Sequence, residues 1–287
     1  MKVVMMRNDN FCAFILTHGR ASRVYTYNTL RKSGYTGKIV IVVDNEDKTI
    51  DEYKKTFKNE VYVFDKKAVA AQIDEGDNFN DRRAIIYARN ACFDIAKELG
   101  YEYFIQLDDD YTAFNHKRNH LGEYIEKKIK DLDSVFDAML DYYKSIPALT
   151  IAMAQGGDFV GGKMGSSWKK PKRKAMNSFL CSTNRPFKFF GRVNEDVNTY
   201  TNLGSRGGLF LTIMSLELKQ KQTQQNKGGM TEMYLDSGTY VKSFYSVMYQ
   251  PSSVKVGIMQ SKNSRIHHQI RWRNTVPRIL DATHKKQ

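Results

Sequence analysis

The stretch FIQLDDDY sets Asp108, Asp109 and Asp110 directly behind a short apolar run. Phe104, Ile105 and Leu107 read as the end of a buried strand. Three consecutive carboxylates at such a place raise one another's pKa or recruit a cation, and an all-oxygen ligand set suits Mg²⁺ or Mn²⁺. In open α/β sheets ligands gather outside the carboxyl ends of the strands. Acids there suggest a divalent ion holding a phosphorylated substrate. An ordinary acidic turn is the alternative for this tripeptide taken alone.

What precedes the aspartates favours the first reading. FCAFILTHG begins with a strand over roughly 11–17 and breaks at Gly19. RASRVYTYNTLRKSG then carries Val24, Tyr27 and Leu30 at helical spacing and stops at Gly34, a suitable residue just past a helix end. KIVIVVD is a β-branched run of the kind found in a parallel strand covered on both faces, and it ends at Asp44. VYVFD ends at Asp65. NDRRAIIYARNACFDIAKELG places Ile85, Ala88, Cys92, Ile95 and Leu99 on one helical face, with Asn80 or Asp81 as cap and Gly100 as stop. Strand, helix, strand, strand, helix, strand is the pattern of a doubly wound α/β sheet with right-handed crossovers, occupying about 1–115.

The second half, about 116–287, reads as mixed and loop-rich. KKIKDLDSVFD resembles a solvated helix face, as does DEYKK at 51–55 in the first half. LDSVFDAMLDYYKS is an amphipathic helix with Leu132, Val135, Phe136, Met139 and Tyr143 inward. ALTIAMA and GLFLTIM are expected strands, and NEDVNTYTNLGSRG a turn or helix start. The run from 155 to 190 reads as a long mobile loop, and KQKQTQQNKGG as a polar linker or loop. No composition break marks a boundary, so the expected organisation is one domain over 1–287.

Charge adds a second constraint. The net charge is +14, and it is polarised. Between Asp158 and Glu195 lie nine Lys or Arg and no acid; between Asp236 and Asp281 lie seven, with His267 and His268. Such a distribution points to an anionic macromolecule, most simply nucleic acid. Three scattered cysteines without a CxxC pair argue against a disulfide framework or zinc ribbon and fit a reducing compartment. No apolar run is long enough to span a bilayer, and the N-terminal MKVVMMRNDN is too short and charged for a signal peptide. The expectation is a cytoplasmic protein, in a host cell if phage-encoded. No GxGxxG follows the first strand and no GxSxG is present, which disfavours a Rossmann dehydrogenase and a serine hydrolase.

FILTHGR at 14–20, VVD at 42–44, RRAIIYARN at 82–90, QLDDDY at 106–111 and NED at 194–196 together resemble a GT-A glycosyltransferase. More narrowly, they resemble the phage-type glycosyltransferases associated with TET and base-J dioxygenases, which are thought to glycosylate hydroxymethylated pyrimidines in DNA. The resemblance implies a UDP-sugar donor, Mn²⁺ or Mg²⁺, and DNA, favoured as a modified duplex, as acceptor. It further implies that Thr17 and Arg20 lie at the nucleotide pocket, Arg20 toward a phosphate, and that Asp44 accepts a hydrogen bond from the uracil or ribose edge. Arg89, beside Asn90, reaches toward the donor or else decorates its helix. Asp108 contacts the ribose or the metal's water shell, Asp110 binds the metal, and Asp109 serves either task; the motif here is DDD where the family pattern is DxD. His267 or His268 is a further candidate ligand, at most one of the two, since adjacent strand residues point apart. Of Glu195 and Asp196, the latter is favoured as the base that deprotonates the acceptor hydroxyl, with capping of a first turn as a compatible role.

The basic half then reads as the acceptor side. WKKPKRK joins Trp168 to Lys169, Lys170, Lys172, Arg173 and Lys174 in a segment too polar for core, so the cations would meet phosphates and Trp168 a base. Arg271 and Arg273 form a second cationic pair around Trp272, itself read most simply as a core residue. Rival readings are a metal-dependent nuclease or nucleotidyltransferase and a noncatalytic DNA-binding protein on a transferase fold.

Overall fold

The apolar runs singled out above become the strands of a central sheet. In the computed structural model, which describes residues 10–77, 81–165, 167–221, 230–259 and 264–276, the first half comprises β1 (Phe11–Leu16), α1 (Tyr25–Lys32), β2 (Lys38–Asp44), α2 (Ile50–Phe57), β3 (Val61–Phe64), α3 (Lys66–Ala70), α4 (Ile86–Glu98) and β4 (Tyr103–Asp108). The second half comprises β5 (Tyr111–Arg118), β6 (Tyr124–Lys128), α5 (Leu132–Ser145), β7 (Ala148–Ala154), β8 (Ser178–Ser182), α6 (Glu195–Ser205), β9 (Leu209–Gln220), α7 (Met230–Tyr249), β10 (Val254–Met259) and β11 (Arg265–Ile270). Asn80, expected as a helix cap, and residues 222–229 of the expected linker lie outside the described residues. No described helix is long and apolar enough to cross a membrane.

Among the described residues nine strands form one mixed sheet in the order β3-β2-β1-β4-β8-β7-β9-β5-β6. The first four run parallel; β8 is antiparallel to β4 and to β7, and β5 to β9 and β6. Parallel strands with both faces covered need apolar side chains in both directions, and the sequence supplies them by alternation. Phe11, Ala13 and Ile15 pack with Leu30, Leu132, Phe136 and Met139 on one face. Cys12, Phe14 and Leu16 pack with Ile86, Cys92 and Ile95 on the other. Cys12, Cys92 and Cys181 are all buried and free.

Several elements differ from expectation. α2 covers DEYKK, read above as a solvated helix face, whereas the short α3 after β3 is not announced by the sequence pattern. α4 starts at Ile86, beyond the reach of Asp81, whose carboxylate instead accepts the Arg83 backbone N–H and pairs with the Arg83 guanidinium. Lys127 and Lys128 end a hairpin strand rather than begin a helix, which starts after Asp131, whose side chain accepts from Ser134 N. The expected mobile loop is structured: Gln155 and Asp158 form a reciprocal cap, and Ser178–Ser182 is an interior strand. α7 and the β10–β11 hairpin are additions that the local pattern does not announce.

The two helix-stop glycines are as expected, and they differ physically. Both are left-handed, Gly34 with φ 87° and Gly100 with φ 78°. A Cβ on Gly34 would lie 2.2 Å from the Lys130 carbonyl oxygen, whereas one on Gly100 would meet nothing within 4 Å. Gly100→Ala is expected to lower the unfolding free energy by about 1–2 kcal/mol, the cost of a left-handed residue with a Cβ. Gly34→Ala should cost distinctly more; equal losses in urea denaturation would contradict the assigned close approach.

Candidate active site

The carboxyl ends of the parallel strands bring the acids together. Asp108 ends β4 opposite Leu16 of β1, so Thr17 stands beside the aspartate turn. Thr17 donates its hydroxyl to Asp109 Oδ2 at 2.7 Å and lies 2.9 Å from the Tyr53 hydroxyl. Arg20 reaches Asp109 Oδ1 at 3.1 Å. The turn is clamped from behind by Thr26, near the start of α1. Its hydroxyl donates to the Asp108 carbonyl at 2.5 Å and accepts from Tyr111 N at 2.9 Å, while its N–H donates to the Asp109 carbonyl. The crowded carboxylates are therefore held by the backbone against their own repulsion.

Arg89 joins this turn to the second acidic motif. It is 1% exposed, so the alternative that it decorates the helix surface does not hold: α4 turns it into the core. Its Nη2 donates to Asp108 Oδ1 at 2.8 Å and its Nε to Glu195 Oε1 at 3.0 Å. The guanidinium lies 4.6 Å from the Phe179 ring centroid, a desolvated cation–π contact. Neighbouring Asn90 does not approach the donor side; its amide is bonded to the Ile86 and Phe189 carbonyls.

Glu195 and Asp196 open α6, as a first turn favours. Asn194 before them has φ 56° and makes no side-chain cap; its amide donates instead to the Lys242 carbonyl at 2.7 Å. Asp196 is 9% exposed. Burial, followed by the charge of Glu195, holds its carboxyl well above the usual carboxylate range.

A third acid group sits at the end of β2. Asp44 is buried between His18, 2.6 Å from Oδ2, and Lys66, 3.3 Å from Oδ1. Burial raises its carboxyl, and these two partners more than offset that, leaving it below its ordinary value. Both oxygens are thus engaged before any nucleotide contact. His18, Lys66 and Asp47, which accepts Gly19 N at 2.6 Å, are site residues that the motifs alone do not single out. His18 lies within the FILTHGR motif and Asp47 three residues past Asp44, so their proximity to the marked acids is the available signal.

Asp110 differs from its neighbours. Its Oδ1 is buried and without a hydrogen-bond partner among the described residues. Burial, then Asp108 and Asp109, push its carboxyl up to about 7; Asp108 rises to about 6, chiefly by burial. A buried, unpartnered carboxylate oxygen in a field of like charge fits a cation. Among the described residues no three His, Cys, Asp or Glu side chains converge on one point. The histidines do not diverge as expected for strand neighbours: their ring centroids are 4.2 Å apart. His268 Nδ1 lies 3.4 Å from the Asn194 amide, and burial, then His267 and Lys242, lower its pKa to about 3, leaving a neutral ring.

The expected DNA face is partly corrected. Trp168 is 7% exposed and packs with Ala154, Phe159 and Met214, so its indole offers no face to a base. Lys172 and Lys174 lie 3.0 and 2.7 Å from buried Asp158 and are internal counterions. Lys169, Lys170, Arg173, Arg271 and Arg273 are exposed. Trp272, expected in the core, is 37% exposed.

Residues 11–229 match the family described as TET-associated glycosyltransferase. The chain belongs to this family. The mixed α/β sheet with its acidic turn behind β4 agrees with the α/β class expected from the sequence. No curated protein matches the chain. Among solved structures, S. aureus TarS 1–349 in complex with UDP is similar at 11% identity and TM-score 0.44, over 83% of this chain and 64% of that one. A further TarS structure is similar at 10% identity and TM-score 0.45, over 75% and 37%; the chain thus spans less than two-thirds of the length of either. Glucosyl-3-phosphoglycerate synthase from Mycobacterium tuberculosis with Mn²⁺, UDP and phosphoglyceric acid is similar at 7% identity and TM-score 0.47, over 92% and 87%. Likenesses this loose say nothing of substrate; the family match and the geometry of the site bear on it instead.

Two outcomes are expected of this site. Arg89→Met strands Asp108 and Glu195 without their cation and should cost about 3–5 kcal/mol in urea unfolding at neutral pH, less at low pH where the carboxyls take up protons. A loss below about 1 kcal/mol would show that the bridge is not holding the motifs together. In chelator, Asp110 and Asp108 have raised folded-state pKa values, so their contribution is present below about pH 4 and is lost as pH rises to about 6–7. Melting temperature between pH 4 and 7 should therefore fall less in Asp110→Asn than in the parent; parallel curves would contradict the shift.

Proposed function

We propose that the protein transfers a sugar from a UDP-sugar to the hydroxyl of a hydroxymethylated pyrimidine in DNA, in its most specific form glucose to 5-hydroxymethylcytosine. The observation that carries this reading is the Arg89 bridge. It makes the strand-end acids and the α6 acids parts of one site, as a donor pole and an acceptor pole must be.

In this reading Thr17, Arg20 and Asp44 bind the nucleotide, and Asp110, with Asp108 beside it, would hold Mn²⁺ or Mg²⁺; neither His267 nor His268, the other expected candidates, completes a three-ligand group with them among the described residues. A divalent ion bound there would supply positive charge to offset that of the departing diphosphate. Asp196 takes the proton of the acceptor hydroxyl as its oxygen bonds to the anomeric carbon, and the bond to UDP breaks with its electron pair leaving on the diphosphate. A carboxyl raised toward neutrality by burial and Glu195 is suited to that exchange. Asp109 is held by Thr17 and Arg20 and orders the turn. The exposed Lys169, Lys170, Arg173, Arg271 and Arg273 would meet DNA phosphates.

The test is mass spectrometry of nucleosides from hydroxymethylcytosine-containing DNA after incubation with the protein, Mn²⁺ or Mg²⁺ and a panel of UDP-sugars. A hexose-sized gain is expected, abolished by Asp110→Asn and slowed roughly 10²–10⁴-fold by Asp196→Asn. Metal-dependent UDP-sugar hydrolysis without transfer would keep the donor half of the proposal and sink the DNA acceptor.

A further inference from the structure

The exposed tryptophan is better built than a surface residue requires. The Trp272 ring lies on Tyr200, with centroids 5.9 Å apart and planes inclined by 9°. That is an offset stack, and Tyr200 beneath it is 3% exposed, so one indole face is fixed to the core and the other faces out. The turn carrying it is tied down at each end. Arg271 N donates to the Ser253 carbonyl at 2.7 Å, and Asn274 Nδ2 to the Ser252 carbonyl at 2.7 Å. Ser253 Oγ donates to the Asn274 carbonyl at 2.9 Å, and Thr275 Oγ1 to the Trp272 carbonyl at 2.8 Å. The turn also presses on α6, where a Cβ on Gly204 would lie 3.0 Å from the Thr275 carbonyl oxygen. A ring held this firmly loses little freedom when a second ring covers it.

Its position relates it to the chemistry. Tyr200 follows Asp196 by one turn of α6, on the same face, and the charge of Asp196 adds to burial in raising the Tyr200 pKa. Exposed cations stand close to Trp272 in the chain and at its backbone. Arg271 and Arg273 flank Trp272 in the chain, and the Arg173 guanidinium donates to the Trp272 carbonyl at 3.2 Å. No acid occurs between Asp236 and Asp281. An exposed aromatic plane with arginines next to it in the chain suits a flat ring flanked by phosphates, the pattern of an unstacked base in a strand. A neutral saccharide would leave those charges without partners.

Resting on the function proposed above, we infer that Trp272 is the stacking platform for a nucleobase of the acceptor strand. The base lies on the outer indole face, out of its duplex stack, with its phosphates toward Arg173, Arg271 and Arg273. The enzyme therefore acts on single-stranded or locally opened DNA, and Trp272 positions the acceptor rather than touching the reacting atoms.

The two tryptophans of the chain make this measurable, because Trp168 is buried and Trp272 is not. The full chain is titrated with a short single-stranded oligonucleotide containing hydroxymethylcytosine, and with the same strand carrying abasic sites, while tryptophan emission is followed. The intact strand should quench emission and the abasic strand should bind with little quenching. Trp272→Ala should remove the quenching and weaken binding by about tenfold or more, raising KM for the oligonucleotide far more than it lowers kcat. Trp272→Phe should restore affinity to within a few-fold (roughly the scatter among aromatic stacks). Equal quenching by the abasic strand, undiminished affinity in Trp272→Ala, or quenching by a neutral oligosaccharide alone would overturn the platform. Sugar transfer to DNA without quenching overturns it and leaves the function standing; base-dependent quenching without transfer upholds it while the function fails.

Discussion

Everything in the site depends on one buried guanidinium. Arg89 is taken wholly out of water, a costly placement unless its charge is matched and its hydrogen bonds are made. Two carboxylates supply that match, and they come from distant parts of the chain, Asp108 and Glu195. The position of α6 relative to the parallel strands is thereby set by charge-assisted bonds of defined geometry and not by apolar contact alone. Their own burial first, and neighbouring carboxylates second, hold the adjoining Asp110 and Asp196 above the ordinary carboxylate range.

The surrounding shell divides the aspartates by role. Asp109 is satisfied by Thr17 and Arg20, Asp108 by Arg89, and Asp110 keeps a buried oxygen with no partner among the described residues. Three residues identical in type thus become a structural anchor, a bridge and a carboxylate with an unpartnered buried oxygen. Thr26 makes this possible by fixing the backbone of the turn, so that the carboxylates cannot relax apart.

Much of this is legible in the sequence where a pattern repeats at short range. KIVIVVD suits only a strand covered on both faces, and the acids behind Leu107 suit only a strand end. Long-range partners are not legible. Nothing local distinguishes Arg89 as buried, because its helix carries polar and apolar residues in similar measure and its counterions lie far off. The two tryptophans exchange their expected places for the same reason. WKKPKRK looks solvated, yet Lys172 and Lys174 turn inward to buried Asp158, and the apolar cluster of Phe159 and Met214 takes Trp168 in. IRWRN looks no more exposed than WKKPKRK, but its ring stacks on Tyr200 with the outer face left open. α7 is hidden because its polar residues interrupt the apolar spacing, and the DxD-to-DDD departure does not by itself assign one carboxylate to each task.

The sheet order has a consequence for how the molecule comes into being. β4 and β5 are joined by the short aspartate turn, yet β8, β7 and β9 lie between them. The strand leaving the acids must therefore stand apart until three later strands insert, and the Arg89–Glu195 bond closes a span of 106 residues. Pairings of this separation form slowly, since the entropy of closing the loop is lost before the contact rewards it. A chain emerging from the ribosome holds its parallel strands early and its reactive centre late. Until α6 docks, the aspartates are an acidic turn and nothing more.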